Sequence, residues 1–327
     1  MAVISYIEAV TLALKEEMQR DSRVFMLGED IGVRGGVFRA TMGLYEEFGE
    51  DRVLDTPLTE SAIAGVAIGA AAYGMRPVAE MQFADFIMPA VNQIVSEAAK
   101  MRYRSNNDFH CPMVIRAPYG GGVHGALYHS QSVEKLFAGF PGLKIVMPST
   151  PYEVKGLLKA AIRDEDPVLF FEHKRAYRLI KEEVPTEDYI IPIGKAAVKR
   201  EGSDVTVISY GLTVHFALQA AEELAAEGIS VHVLDLRTLI PLDKKAIIEA
   251  TQKTGKVLII HEDNLTGGFG GEIAAVIAEE AFFDLDAPVR RLCGPDVPAM
   301  PYSSPLEKEF NLNPDKIVVA IRDLAEF

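Results

Sequence analysis

Short, continuous apolar runs alternate with helix-length stretches along almost the whole chain, and this alternation narrows the fold more than any other feature. Val24-Phe25-Met26-Leu27-Gly28, Val53-Leu54-Asp55, Pro77-Val78-Ala79-Glu80-Met81, Met113-Val114-Ile115-Arg116, Leu143-Lys144-Ile145-Val146-Met147 and Val168-Leu169-Phe170-Phe171 read as buried strands. Between them, Ser5 can cap a helix running to about Arg20, a long helix is expected from about Ala84 to Arg104, and Pro151 starts another. Strands that are apolar on both faces and separated by helices belong to a parallel sheet covered on both sides. From Glu172 to Ile193 the pattern breaks into a charged stretch with Pro185 and Pro192, which reads as a linker. The alternation then resumes with strands at Val205–Ile208, Val231–Leu234, Val257–Ile260 and Val289–Leu292, and with helices between them. The expectation is an α/β chain of two domains, each a mostly parallel sheet flanked by helices: residues 1–180, a linker at 181–193, and residues 194–327. A length of 327 residues fits two cores better than one.

Composition excludes several classes. A net charge of −14 argues against nucleic acid and anionic membranes as partners, and suits docking to a basic protein. The longest apolar run, around Ala62 to Tyr73, is short of the roughly 18 residues a membrane span needs. Two cysteines, Cys111 and Cys293, make neither a disulfide framework nor metal-ligand spacing, so a reducing, cytoplasmic setting is expected. The first residues carry no basic leader followed by an apolar core, so no signal peptide is expected.

The stretch Asp55-Thr56-Pro57-Leu58-Thr59-Glu60-Ser61 runs straight into the Ala-, Ile-, Val- and Gly-rich segment Ala62 to Tyr73. Thr59 is the natural cap of a helix starting at Glu60, and that helix reads as buried on every side. An acid in a first turn is common because it meets the positive end of the helix dipole. The sharper reading is a functional acid, because an apolar setting raises a carboxyl pKa and small neighbours admit a flat ligand. The glycine-rich loop Gly120-Gly121-Gly122-Val123-His124-Gly125 leads to His129, in the position where open α/β sheets place ligands. His124 by itself reads as structural. His129, flanked by Tyr128, Ser130 and Gln131, reads as functional, a proton donor or acceptor near neutral pH. Gly267-Gly268-Phe269-Gly270-Gly271 precedes a helix but lacks the third glycine of a dinucleotide fingerprint, Ile273 standing there, so it reads as a close-packed turn. His261-Glu262-Asp263 reads as an interface or hydrogen-bonding cluster rather than a metal site.

Several motifs in order then carry a resemblance. Asp55-Thr56-Pro57-Leu58-Thr59-Glu60, Gln82-Phe83-Ala84-Asp85-Phe86, His124-Gly125-Ala126-Leu127-Tyr128-His129-Ser130-Gln131-Ser132, Pro141-Gly142-Leu143-Lys144 and Asp235-Leu236-Arg237-Thr238 span essentially the whole chain. The chain resembles the beta subunits of thiamine-diphosphate-dependent 2-oxo acid dehydrogenases, and the motif around His129 is most similar to the branched-chain enzymes. The resemblance implies a transketolase-like pyrimidine-binding domain followed by a transketolase C-terminal-like domain. It also implies that thiamine diphosphate is shared with an alpha subunit, which holds the diphosphate and magnesium through a Gly-Asp-Gly motif absent here.

By the same resemblance, Glu60 matches the acid that hydrogen-bonds a ring nitrogen of the aminopyrimidine. Leu58 matches a backbone contact to that ring and Phe86 an aromatic stacked on it, where the branched-chain pattern often has tyrosine. Gln82 matches a pocket-lining position, and His129 the histidine that assists reductive acylation of a lipoyl group. Main-chain carbonyls matching Val114, Ala161, Asp164 and Asp166 hold a structural potassium ion in such relatives. The implied partners are an alpha subunit in an alpha2-beta2 assembly, the lipoyl domain, and the dihydrolipoyl acyltransferase core through its subunit-binding domain. Two other functions stay open at this point: the same chemistry on pyruvate or acetoin, and a non-catalytic scaffold, against which the presence of both Glu60 and His129 counts.

Overall fold

A computed structural model describes residues 1–327. The chain divides into two compact units, residues 1–119 with 136–193, and residues 120–135 with 194–327. The glycine-rich segment 120–135 thus belongs to the second unit although both its flanks belong to the first.

The first unit holds strands β1 (Ala2–Ser5), β2 (Val24–Gly28), β3 (Val53–Asp55), β4 (Arg76–Glu80), β5 (Val114–Tyr119), β6 (Lys144–Val146), β7 (Val168–His173) and β8 (Lys181–Val184). Its main sheet runs β6-β7-β5-β4-β2-β3, with every pairing in that series parallel. Val24 lies beside Arg76, Val78 beside Val114, and Val114 beside Val168. Every residue of β2, β4, β5 and β7 is buried, which is why these strands read as continuous apolar runs rather than alternating ones.

Two local devices fix one flank of this unit. The helix Tyr6–Arg20 opens on a reciprocal cap: Ser5 N donates to Glu8 Oε2 at 2.7 Å, and Glu8 N donates to Ser5 Oγ at 3.4 Å. Such a cap contributes about 1 kcal/mol. The helix packs on Pro151–Arg163, where Arg163 reaches the buried Glu17 at 2.6 Å and Lys155 reaches Glu16 at 2.9 Å.

Four expectations are corrected. Lys181–Val184, expected inside the linker, is β8 and pairs antiparallel with β1, Ala2 facing Val184; a two-strand ribbon is sealed by tertiary pairing that a charged sequence does not advertise. The stretch Ala84 to Arg104 is not one helix. It is a 3-10 segment Ala84–Ala90 containing Pro89, a π-turn segment Gln93–Ala98 and a short α-turn Met101–Arg104. Proline has no N–H to give to the α-ladder, and the wider turn that follows absorbs the mismatch. The helix Glu60–Ala72 does form, but Thr59 makes no side-chain cap, its backbone lying at φ −163° and ψ 83°. Nor is that helix buried all round: Ile63, Ala64, Ala67, Ile68 and Ala71 face the core, while Ala62, Val66 and Gly69 are exposed.

The second unit contains β9 (Ala197–Arg200), β10 (Val205–Ser209), β11 (Val231–Asp235), β12 (Thr238–Ile240), β13 (Val257–Asn264) and β14 (Arg290–Gly294). Its sheet runs β14-β13-β10-β11-β9, parallel except for β9, which pairs antiparallel with β11 at the edge. The helices Thr213–Ala225 and Pro314–Ala325 pack together, Lys244–Thr254 packs on β10, and Gly270–Glu280 packs on β13. No helix in either unit is long and apolar enough to cross a membrane.

Candidate active site

In the first unit, three neighbouring parallel strands end together and hand over to the residues of interest. β2 ends at Gly28 and is followed by Glu29; β3 ends at Asp55 and leads to Glu60; β4 ends at Glu80 and leads to Gln82. The hand-over loops are tied to one another. Thr56 N donates to Gly28 O at 2.9 Å, Gly32 N donates to Asp55 Oδ1 at 2.7 Å, and Gln82 Nε2 donates to Glu29 O at 3.5 Å. A side chain at Gly28 would bring a Cβ to 2.9 Å of Glu80 O, so glycine is what lets these strand ends close up.

Glu60 stands at the first turn of its helix, half-buried, and Leu58 before it is 78 % exposed. Sequence reasoning missed the acid beside it. Glu29 is buried, its Oε1 has no hydrogen-bond partner, and its carboxyl is pushed up first by burial and then by the Glu60 charge. Two carboxyl groups in one apolar corner cannot both ionise without cost, so one of them holds a proton more tightly. The available signal was an acid placed immediately after a fully buried strand. Phe86 is half-buried on the 3-10 segment, its ring edge-on to Phe83 at 5.5 Å; Phe83 in turn meets Phe38 at 5.3 Å, and Phe38 meets Tyr177 at 5.3 Å.

Beneath these residues lies an ion knot. Arg116 is fully buried and donates to Glu172 at 2.6 and 2.7 Å and to Glu80 at 2.6 Å, while Tyr177 Oη donates to Glu172 at 2.6 Å. Burial pushes the Glu80 carboxyl up and Arg116 opposes it.

Of the residues expected to supply potassium-binding carbonyls, Ala161, Asp164 and Asp166 lie at the end of the helix Pro151–Arg163. Ala161 O accepts from Asp164 N at 3.3 Å, and Asp164 O accepts from Arg76 Nη1 at 2.9 Å. Val114 opens β5 beside Val168. The side chains of Asp164 and Asp166 meet Lys144 at 2.6 and 3.4 Å, and Asp166 also meets Arg102 at 2.6 Å. A helix C-terminus offers unpaired carbonyls and the negative end of its dipole, a donor set suited to a cation, but here a guanidinium already takes one of the four.

The second unit carries His129 on the segment 120–135, which Gly120 N closes by donating to Gln131 O at 3.0 Å. His129 is half-buried. Gly125 sits against it: a Cβ there would fall 2.5 Å from His129 O and 2.8 Å from His129 Cβ. The segment ends in buried Glu134, whose Oε1 accepts from Tyr210 Oη at 2.9 Å and whose carboxyl is raised well above the usual range by burial and then by Asp263. His261-Glu262-Asp263 proves to be a hydrogen-bonding cluster. Glu262 accepts from Gly121 N, Asp263 pairs with Lys135 at 3.2 Å, and His261 Nε2 lies 3.2 Å from Cys293 Sγ with Tyr210 stacked over its ring. The glycines Gly268 and Gly270 are a close-packed turn, since a Cβ at either would press into the His261 ring at 2.6 or 2.8 Å.

Comparison with known proteins agrees with this architecture. Residues 2–180 match the transketolase pyrimidine binding domain, and residues 194–317 match the transketolase C-terminal domain. The chain is 74 % identical over 327 residues to the 2-oxoisovalerate dehydrogenase subunit beta of Bacillus subtilis (strain 168), covering 100 % of both chains. It is 47 % identical over the same full length to the pyruvate dehydrogenase E1 component subunit beta of that organism. It is 49 % identical to the mitochondrial 2-oxoisovalerate dehydrogenase subunit beta 2 of Arabidopsis thaliana, covering 98 % of this chain and 88 % of that one. Among solved structures it is similar to a split gene transketolase described as an inactive beta4 tetramer, with a TM-score of 0.80 at 26 % identity over 99 % of this chain and 98 % of that one. With two transketolase-type domains in this order and full-length likeness at such identity, the chain belongs to the family of 2-oxo acid dehydrogenase beta subunits.

Proposed function

We propose that this chain is the beta subunit of a branched-chain 2-oxo acid dehydrogenase, active only together with an alpha subunit. The observation that carries the substrate class is the gap between 74 % identity to a 2-oxoisovalerate dehydrogenase beta subunit and 47 % to the pyruvate counterpart of the same organism. The need for an alpha subunit is supported by the absence of Gly-Asp-Gly from the sequence, and by a beta-only structural relative being described as inactive. An alpha2-beta2 assembly, acyl transfer to a lipoyl domain, docking to a dihydrolipoyl acyltransferase core and a cytoplasmic location complete the reading.

The first unit offers what the aminopyrimidine end of thiamine diphosphate needs, namely an acid at a sheet's carboxyl edge beside an unpartnered buried carboxyl oxygen and an accessible aromatic face. When bound, the cofactor supplies the carbon nucleophile and electron sink for decarboxylation. Glu60 would hold a proton against a ring nitrogen of the pyrimidine and so set its tautomer. Glu29, disfavouring a second charge, would keep that proton local to the pair. Leu58 and Gln82 would border the ring, and Phe86 would offer a face to it. His129 would donate or accept the proton that moves during acyl transfer to the lipoyl dithiol. Magnesium would be held by the alpha subunit. Potassium at the carbonyls of Val114, Ala161, Asp164 and Asp166 would reinforce the helix end, sharing Asp164 O with Arg76.

The test is co-production with an alpha chain carrying Gly-Asp-Gly, followed by decarboxylation assays on 2-oxoisovalerate, pyruvate and acetoin. Preference for 2-oxoisovalerate, with no turnover by the isolated chain, is the expected result. Preference for pyruvate or acetoin overturns the substrate class, and turnover by the chain alone overturns the need for alpha.

A further inference from the structure

We propose that Glu307 is a positioning residue that latches the loop bearing His129. Glu307 lies in the helix Ser304–Phe310, far along the chain from the loop, yet its two carboxylate oxygens grip one residue of that loop. Oε2 meets His124 Nδ1 at 2.6 Å and Oε1 accepts from His124 N at 3.2 Å. An exposed ion pair would contribute little. This contact is asymmetric: the Glu307 side chain is 5 % exposed while that of His124 is 60 % exposed, so a side chain fixed in the body of the unit holds one that stands mostly in solvent.

The residue it holds is under strain. His124 has φ 56° and Ala126 has φ 53°, a left-handed conformation that side chains rarely adopt outside glycine. Such backbone persists only where surrounding contacts over-determine it. The next residue transmits the grip: Gly125 lies in contact with the backbone and Cβ of His129, close enough that no side chain fits between them. The same C-terminal segment seats the start of the loop, since a Cβ on Gly121 would meet Met300 and Asn311. Contact thus runs from Glu307 through His124 and Gly125 to His129. The ends of the segment are tied as well, Glu262 to Gly121 and Lys135 to Asp263.

This inference rests on the assignment of His129 to acyl transfer, and the test separates the two. In the assembly with the alpha subunit, Glu307→Ala, Glu307→Gln, His124→Ala and His129→Ala are compared by amide hydrogen exchange of residues 121–131 and by two rates. One rate is decarboxylation with an artificial electron acceptor; the other is reductive acylation of a lipoyl domain. Glu307→Ala is expected to speed exchange in the loop and lower lipoyl acylation about tenfold to a hundredfold, the cost of a misplaced group, while decarboxylation is unchanged. Glu307→Gln keeps an acceptor for His124 N and is expected to fall between wild type and Glu307→Ala. His124→Ala removes the ring contact at an exposed position and is expected to loosen the loop even if Glu307→Ala proves too unstable to assemble. Unchanged loop exchange in both Glu307→Ala and His124→Ala overturns the latch. A loosened loop with full acylation by His129→Ala supports the latch and overturns the role of His129 instead.

Discussion

Arg116 and Glu172 form a two-pronged ion pair, Nε to Oε1 at 2.6 Å and Nη2 to Oε2 at 2.7 Å, with neither side chain exposed to solvent. They sit on adjacent strands under the carboxyl edge that carries Glu29 and Glu60, and Glu80 accepts from the other side of the guanidinium at 2.6 Å. A buried pair of this kind is weak evidence of net stabilisation, because desolvation offsets most of the attraction. Its value here is register, since one guanidinium addresses three neighbouring strands at once.

Removing one partner should therefore be far worse than the pair's net worth suggests. Arg116→Met leaves Glu80 and Glu172 buried without a cation and should cost about 3–5 kcal/mol, read from urea unfolding of the alpha-beta assembly. A loss below about 1 kcal/mol would mean that water or a rearranged side chain reaches the knot.

Glu60→Gln should abolish decarboxylation while leaving the fold and subunit assembly intact. Glutamine keeps the shape but cannot form a charge-assisted hydrogen bond to a ring nitrogen. Loss of a positioned proton-transfer group costs on the order of a hundredfold or more. Exchange of the thiazolium proton is the measurement; a near-normal rate would reduce Glu60 to a helix-terminus acid.

Glu134 should make stability depend on pH. Its carboxyl titrates above the ordinary 4.5 in the folded chain, chiefly through burial and then through Asp263, so the folded state binds the proton more tightly than the unfolded one. The stabilisation from that proton is complete below the unfolded value and is lost as pH rises through the folded one. Glu134→Gln keeps an acceptor for Tyr210 and carries no charge to lose. Its unfolding free energy, followed by urea titration from about pH 5 to 8, should fall less steeply than that of the parent chain. Parallel slopes would show that Glu134 is already ionised in the folded state.

Docking to the acyltransferase core should be salt-sensitive. Asp284 and Asp286 follow directly on Phe282 and Phe283, the latter 99 % exposed, so acids and an apolar tip stand together. Charges of this kind mainly speed association, and the screening length falls to ~8 Å at physiological ionic strength. Replacing Asp284 and Asp286 by Asn should slow complex formation with the core's subunit-binding domain. Decarboxylation of free 2-oxo acid should not change. Association rates indifferent to both salt and these changes would place docking on another surface.

The residues themselves determined the α/β class and the division into two sheet-centred halves, because buried parallel strands and glycine-rich turns leave a local pattern. Gly267 to Gly271 and His261 to Asp263 were legible for the same reason: fingerprint spacing is local, and both lacked it. The tertiary structure decided everything that depends on meeting at a distance. The helix at Glu60 shows an exposed apolar face because burial is set by what packs against a helix, not by how apolar it is. The Ala84 to Arg104 stretch breaks at Pro89 into tighter and wider turns, and Lys181–Val184 becomes a strand only because Ala2–Ser5 lies beside it. Glu29 feels the charge of Glu60 because its strand end stops next to the one that leads to Glu60, and Glu307 reaches His124 from 183 positions along the chain. Sequence periodicity reports the faces of single elements; the electrostatic coupling of two carboxyls and the grip of one side chain on a strained loop exist only once those elements are brought together.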